Sequence, residues 1–277
     1  MMKVVRSEHK ERLDYLNLPI RSFRRLGRII LMACHSMGHA LIMLGSATLY
    51  IRTIWRPRAR RETATQLYIT GIKSLGVITV VALFTGMILA LQTGLELRRY
   101  GQEEFIGSAV AVSVIREMGP FMTGLIIAAS VGSAIAAQLG TMAVSEEIAA
   151  LEVMSINPNR FLVMPRLVAL ALMMPILTVY TNILGILGGG IVGTTQLGVS
   201  FQAYLDNATR FAENKDLYVG LLKAVVFGVI IATVACYQGL TTTEGAVGVG
   251  RATRQTVITS FLLILIVGYM ITRLFYI

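Results

Sequence analysis

Charge is what this sequence has least of. Asp, Glu, Lys and Arg make up 14% of its residues and hydrophobic residues 55%, whereas a soluble globular domain carries about 25% and about 45–50%. The surplus is organised: Ser74 to Leu95, Leu167 to Leu205, Ala224 to Thr243 and Gln255 to Thr272 contain no charged residue. A helix crossing the hydrocarbon core needs about 20 apolar residues, so these runs are long enough to span. Cysteine is also scarce. The two present, Cys34 and Cys236, lie in apolar stretches, where a thiol behaves as a small hydrophobe, and a disulfide framework is excluded. No G-x-x-x-x-G-K-[ST] loop occurs, and none of the five lysines follows a glycine, so the chain has no phosphate loop for ATP. Acid/base and metal constellations are equally missing, which argues against a lipid-modifying enzyme. His35 and His39 stand four residues apart near Cys34 but lack a carboxylate partner, so they read as a polar stripe rather than a metal site. The N-terminus holds acids and arginines through Arg28 with no small-residue cleavage site, so no removable signal peptide is expected.

What charge there is sits at one end. The net charge is +10, yet residues 1–61 hold 13 Lys/Arg against Glu8, Glu11 and Asp14, and residues 62–277 hold 12 of each sign. A basic segment beside membrane helices reads as a cytoplasmic anchor on anionic headgroups. No nucleic-acid recognition motif accompanies it, so nucleic acid is excluded as a partner.

Along the chain, residues 1–21 read as a polar cytoplasmic tail and 22–61 as a basic interfacial helix and elbow. Arg21, Arg24, Arg25 and Arg28 precede the uncharged stretch 29–51, and Arg52, Arg56, Arg58, Arg60 and Arg61 follow it. The stretch is long enough to span, but both flanks prefer the same side, so it is expected to lie in the interface, with Trp55 as anchor and Pro57 as elbow. Residues 62–277 form the transmembrane domain, with spans expected near 68–96, 106–140, 160–196, 217–240 and 254–276. The second and third exceed a bilayer and must tilt or bend, with Gly119-Pro120, Pro165 and Pro175 available for kinks. With the N-terminus inside, 17 Lys/Arg fall on the cytoplasmic side and Arg98, Arg99, Arg210 and Lys215 outside. Residues 200–216 read as an outer loop. Gly185, Gly189 and Gly193, and Gly132, Ala136 and Gly140, form small-residue stripes that let membrane helices approach closely.

The link between the second and third spans carries more information. Ser145 is placed to cap a helix of about eleven residues whose first turn holds Glu146 and Glu147 and which Asn157-Pro158 stops. Its apolar members are Ile148, Leu151 and Met154.

Arg116-Glu117-Met118-Gly119-Pro120, Val131 to Ala137, Leu139 to Met142, Glu146, Ala150 to Met154, Asn157-Pro158 and Pro165-Arg166 together strongly resemble the MlaE (YrbE) family. The likeness continues through Gly185 to Gly189, Leu222 to Phe227, Gly248 to Thr253 and Thr256-Val257, and covers roughly residues 65–277. These are permeases of bacterial lipid-transport ABC systems. The resemblance implies an all-α inner-membrane protein with an N-terminal interfacial helix, five transmembrane helices and a short cytoplasmic coupling helix between the second and third. It further implies a homodimer, phospholipid as cargo, a separate ABC ATPase, an MCE-domain protein on the outer face, and room for a small STAS-type regulator. The chain itself would be a non-enzymatic transport subunit without a cofactor.

The resemblance places Arg116, Glu117 and Lys223 at a lipid cavity, and makes Glu146, Glu147, Ile148, Leu151, Glu152 and Met154 the ATPase contact. Consecutive residues diverge by about 100° on a helix, so Arg116 and Glu117 need separate partners: Lys223 for Glu117, and a lipid phosphate or the second protomer for Arg116. The alternative reading is an ion-coupled secondary transporter working through Glu117 and Lys223 without an ATPase. It calls for inverted repeats, and none is evident. Ser130 and Gln138 depart from the family, which usually has arginine and glutamate there. The expectation is that this charge network was lost as a unit.

Overall fold

The computed structural model describes residues 31, 35–50 and 57–276. The tail 1–21, the arginines through Arg28, Cys34 and Trp55 lie outside the described residues. The chain divides into two compact units, residues 1–45 and 46–277. In the first, residues 35–45 are helical, and the rings of His35 and His39 meet edge to face at 4.5 Å. Among the described residues no group of three His, Cys, Asp or Glu is placed to hold a metal.

The second unit contains five helices long and apolar enough to cross a membrane: Ala59–Arg99, Glu103–Val144, Asn159–Thr195, Asn214–Leu240 and Gly245–Tyr276. No strand occurs among the described residues. The protein is thus an all-α, multi-pass membrane protein. The first and fifth spans each begin about nine residues before the expected boundary. Pro57 opens a helix, Pro57–Gly71, that continues through a 3₁₀ turn at Ile72–Ser74 into Leu75–Arg99. The third and fourth spans are the most buried; the first and fifth are the most exposed.

The long second span stays continuous by loosening its coil. Two π-helical turns, Val114–Met118 and Ala128–Gly132, interrupt its α-helical segments, and a third, Asn159–Val163, opens the third span. Such turns absorb an extra residue inside a helix and recur at functional sites. The one at Val114–Met118 is followed at once by Gly119-Pro120, where the missing proline amide already weakens the ladder.

Close packing follows the glycines. A Cβ on Gly86 of the first span would lie 1.8 Å from the carbonyl oxygen of Gly185 in the third, so this crossing requires bare backbone on the first span. Gly189, Gly190 and Gly193 make room for Tyr204, whose ring is fully buried and whose hydroxyl donates to the Ile186 carbonyl at 3.1 Å. Tyr204 belongs to a helix, Phe201–Phe211, in the segment expected to be a loop. Ser200 caps it, accepting from the Ala203 amide at 3.2 Å. Its apolar residues Phe201, Tyr204, Leu205, Ala208 and Phe211 fall at helical spacing, with Tyr204 and Ala208 buried. Burial also raises the Tyr204 phenol well above its ordinary pKa, so it stays neutral.

The link between the second and third spans is shorter than expected and differently capped. Its helix is Glu147–Val153. Ser145 does not cap it, because its hydroxyl bonds back to the Thr141 carbonyl at 2.6 Å and so finishes the preceding helix. The turn is made instead by Glu146 in the left-handed region at φ 61°, a conformation most side chains avoid. Asn157 accepts from the Asn159 amide at 2.9 Å and starts the third span.

Candidate functional site

The π-helical turn at Val114–Met118 carries Arg116 and Glu117, and the fourth span supplies a partner for each. Lys223 Nζ lies 2.6 Å from Glu117 Oε1, and Arg116 Nη2 lies 2.8 Å from Asp216 Oδ1. Asp216 and Lys223 are seven residues apart, about two helical turns, and so face the same way. The expected Glu117–Lys223 pair is present. Arg116 pairs with Asp216 of its own chain, a buried carboxylate on the neighbouring span, while its side chain stays one-third exposed. Asp216 had been assigned to the outer loop by its position before the apolar run, and the only sequence signal for it was that two-turn spacing from Lys223.

The fifth span closes the cluster. Tyr276 donates to Asp216 Oδ1 at 2.5 Å and Thr272 donates to Glu117 Oε1 at 2.6 Å. The Arg116 guanidinium stacks 4.0 Å from the centroid of the Tyr276 ring, an attraction to the negative ring face. Two positive and two negative side chains therefore cancel within one network shared by three spans. Lys223 and Asp216 are each only 1% exposed at the side chain, while Arg116 and Glu117 are 33% and 38% exposed. The buried partners are thus anchors, and the half-exposed ones present charge to the surroundings.

Beside Glu117 an open-sided cavity of about 290 Å³ lies between the second, fourth and fifth spans. Its walls include Met118, Phe121, Phe227, Ile264, Tyr269 and Thr272, with Glu117 as the charged member. Glu117 lines this cavity, and Lys223, buried beside it, holds it there; Arg116 is not among the lining residues. Gly119 is fixed by a neighbour on the other side of the helix: a Cβ there would lie 1.7 Å from Asn182 Oδ1. Such an arrangement suits an amphiphile, with apolar walls for chains and a carboxylate edge for a polar head.

The second candidate site is the short helix. Glu146, Glu147 and Glu152 are exposed, and Ile148 and Leu151 are half-buried. Met154 is 61% exposed and its neighbour Val153 is 86% exposed. The seven-residue helix turns Ile148 and Leu151 partly toward the protein, so the outward apolar pair is Val153–Met154. Val153 was not among the expected contact residues, because an eleven-residue helix puts it on the polar side.

The remaining family positions are also placed. Ser130 bonds back to the Ile126 carbonyl at 2.6 Å. Gln138 accepts from Arg166 Nη2 at 2.9 Å. A guanidinium from the third span therefore faces position 138.

Residues 63–274 match the family described as Permease MlaE. The chain is 42% identical over 211 residues to a probable ABC transporter permease protein of Rickettsia prowazekii, covering 76% of this chain and 82% of the relative. It is 32% identical over 257 residues to the intermembrane phospholipid transport system permease protein MlaE of Haemophilus influenzae, covering 91% and 96%. A 36% identity over 216 residues links it to the Arabidopsis thaliana chloroplastic protein trigalactosyldiacylglycerol 1, covering 78% and 62%.

Proposed function

The chain belongs to the MlaE permease family, and on that premise we propose that it is the membrane subunit of an ATP-driven phospholipid transporter. The observation that carries this reading is the apolar cavity edged by Glu117 within the spans. Ion pairs at membrane depth are costly to maintain, and they persist where a polar pathway needs them. With no phosphate loop in the sequence, the energy enters from a separate ABC ATPase docked at the exposed tip of Glu147–Val153. The name of the Haemophilus influenzae relative supports phospholipid as cargo.

In this reading the protein sits in the bacterial inner membrane with its N-terminus cytoplasmic, as the Lys/Arg bias favours. Two copies enclose the lipid path, each contributing a cavity whose exposed wall is the fifth span. An MCE-domain protein on the outer face accepts the lipid, and a STAS-type subunit attaches through the ATPase. Lys223 neutralises Glu117 at one carboxylate oxygen, and the cation of a zwitterionic head supplies the other oxygen with a partner. ATP-driven rearrangement of the spans then alters the cavity and releases the lipid.

The test is reconstitution of the chain with its ATPase and MCE-domain partner in proteoliposomes, with transfer of labelled phospholipid followed on ATP addition. ATP-dependent transfer is expected. Transfer driven by a proton gradient in the absence of the ATPase would instead establish the ion-coupled reading through Glu117 and Lys223.

A further inference from the structure

Arg166 is a buried charge without a counter-charge. Its residue is 2% exposed, Nη1 donates to the Leu162 carbonyl at 2.7 Å, and Nη2 donates to Gln138 Oε1 at 2.9 Å. Nε has no partner. Among the described residues no carboxylate lies within salt-bridge distance of it. Burying a guanidinium against neutral oxygens alone is costly, and a methionine or leucine would fill the same space without that cost.

Its location gives the cost a purpose. Gln138 stands six residues before the end of the second span at Val144, and Arg166 seven residues after the start of the third at Asn159. The two therefore close the stem of a hairpin whose tip is the short helix Glu147–Val153. The limbs of that stem pack on other spans rather than on each other: the end of the second on the fourth and fifth, the third on the first and fourth. Among the described residues, Arg166 to Gln138 is the one side-chain hydrogen bond that joins them directly. The Leu162 carbonyl belongs to the π-helical turn Asn159–Val163, so the same guanidinium also braces the loosest turn of the third span.

We propose that Arg166 is a positioning residue for energy coupling: through Gln138 and the Leu162 carbonyl it clamps the two limbs of the hairpin, so that a displacement of the short helix moves the second and third spans together. The second span carries Arg116 and Glu117, and the third packs on Gly119 through Asn182. The clamp thus links the hairpin tip to the cavity wall. This inference rests on the reading that an ATPase docks at the tip.

The experiment compares wild type, Gln138→Leu, Arg166→Met, the double variant and Gln138→Glu in the reconstituted complex. Three quantities are read: ATPase co-purification, ATP hydrolysis, and lipid transferred per ATP hydrolysed. Both single variants are expected to keep the ATPase and its hydrolysis while transfer per ATP falls about tenfold, within the range by which such networks modulate coupling. The double variant falls no further than the worse single one. Gln138→Glu, which offers Arg166 a carboxylate in the same place, keeps transfer per ATP at the wild-type level or above and guards against misfolding as the explanation. Unchanged transfer per ATP in Gln138→Leu overturns the clamp and leaves the docking reading standing. A loss that only tracks the amount of folded complex also overturns it, as the mark of a purely structural residue. If no ATPase co-purifies with wild type, the docking reading falls and takes the coupling role with it.

Discussion

Lys223 reaches from the fourth span to within 2.9 Å of the Arg116 carbonyl oxygen. That carbonyl has lost its ordinary helical donor, because the residue four positions on is Pro120, which has no N–H. One ammonium therefore repairs the helix ladder and neutralises Glu117 at 2.6 Å, so the proline and the lysine form a single device. Removing either ionic partner should leave the other exposed to a different degree.

Glu117→Gln strands a buried ammonium, and breaking such a pair costs about 3–5 kcal/mol. Lys223→Met strands a carboxylate that borders an open cavity and can be hydrated, so its cost is smaller. The double variant Glu117→Gln/Lys223→Met should be less damaging than the sum of the two. Thermal unfolding in detergent gives this order directly. Full lipid transfer by both single variants, at normal protein levels, would make the pair purely architectural.

Tyr276→Phe removes one hydrogen bond to Asp216 but leaves the ring under Arg116. A loss of about 1.5–3 kcal/mol is expected for a bond to a charged group, seen as faster amide exchange in the last turns of the fifth span. Asp216→Asn should be worse, because it takes the charge from opposite Arg116 as well. Equal exchange in all three proteins would detach the end of the fifth span from the cluster.

At the hairpin tip, Val153→Asp and Met154→Asp place a charge in the proposed ATPase contact without touching the folded body. Each should weaken ATPase association by about 2 kcal/mol or more, as for a central interface residue. Leu151→Asp is a poorer probe, since Leu151 is half-buried and its loss mixes stability with binding. ATPase pull-down that survives both Val153→Asp and Met154→Asp would move the docking surface elsewhere.

Tyr204→Ala empties a niche bounded by three glycines and should cost about 3–5 kcal/mol, as large aromatic truncations do. Tyr204→Phe loses only the bond to Ile186 and should cost about 1 kcal/mol. Gly190→Ala intrudes on the same ring, with its Cβ 3.0 Å from Phe201 and 3.3 Å from Tyr204. Thermal stability of the three variants should therefore fall in the order Phe, Ala at 190, Ala at 204.

Composition and charge pattern were enough to read an all-α membrane domain with five spans, because apolar length is a property of the sequence itself. The Glu117–Lys223 pair was legible for a related reason: two opposite charges inside apolar runs have few other places to go. The helix Phe201–Phe211 was legible in principle, since its apolar residues fall at helical spacing, but the segment has no apolar run of its own long enough to span and reads as a connection. Ser145 was misread because a serine that can cap the next helix can equally finish the previous one.

By itself, then, the sequence determined which segments enter the bilayer, where the scarce charges lie and which family the chain resembles. Only the tertiary structure decided the partners: Asp216 for Arg116, Gln138 for Arg166, and the fifth span's Thr272 and Tyr276 for the two carboxylates. Membrane insertion depends on the hydrophobicity of each segment summed locally, whereas pairing depends on how helices rotate and cross. Here those crossings are set by features whose effect is felt between elements, the π-helical turns at Val114–Met118 and Asn159–Val163 and the close approach of Gly86 to Gly185.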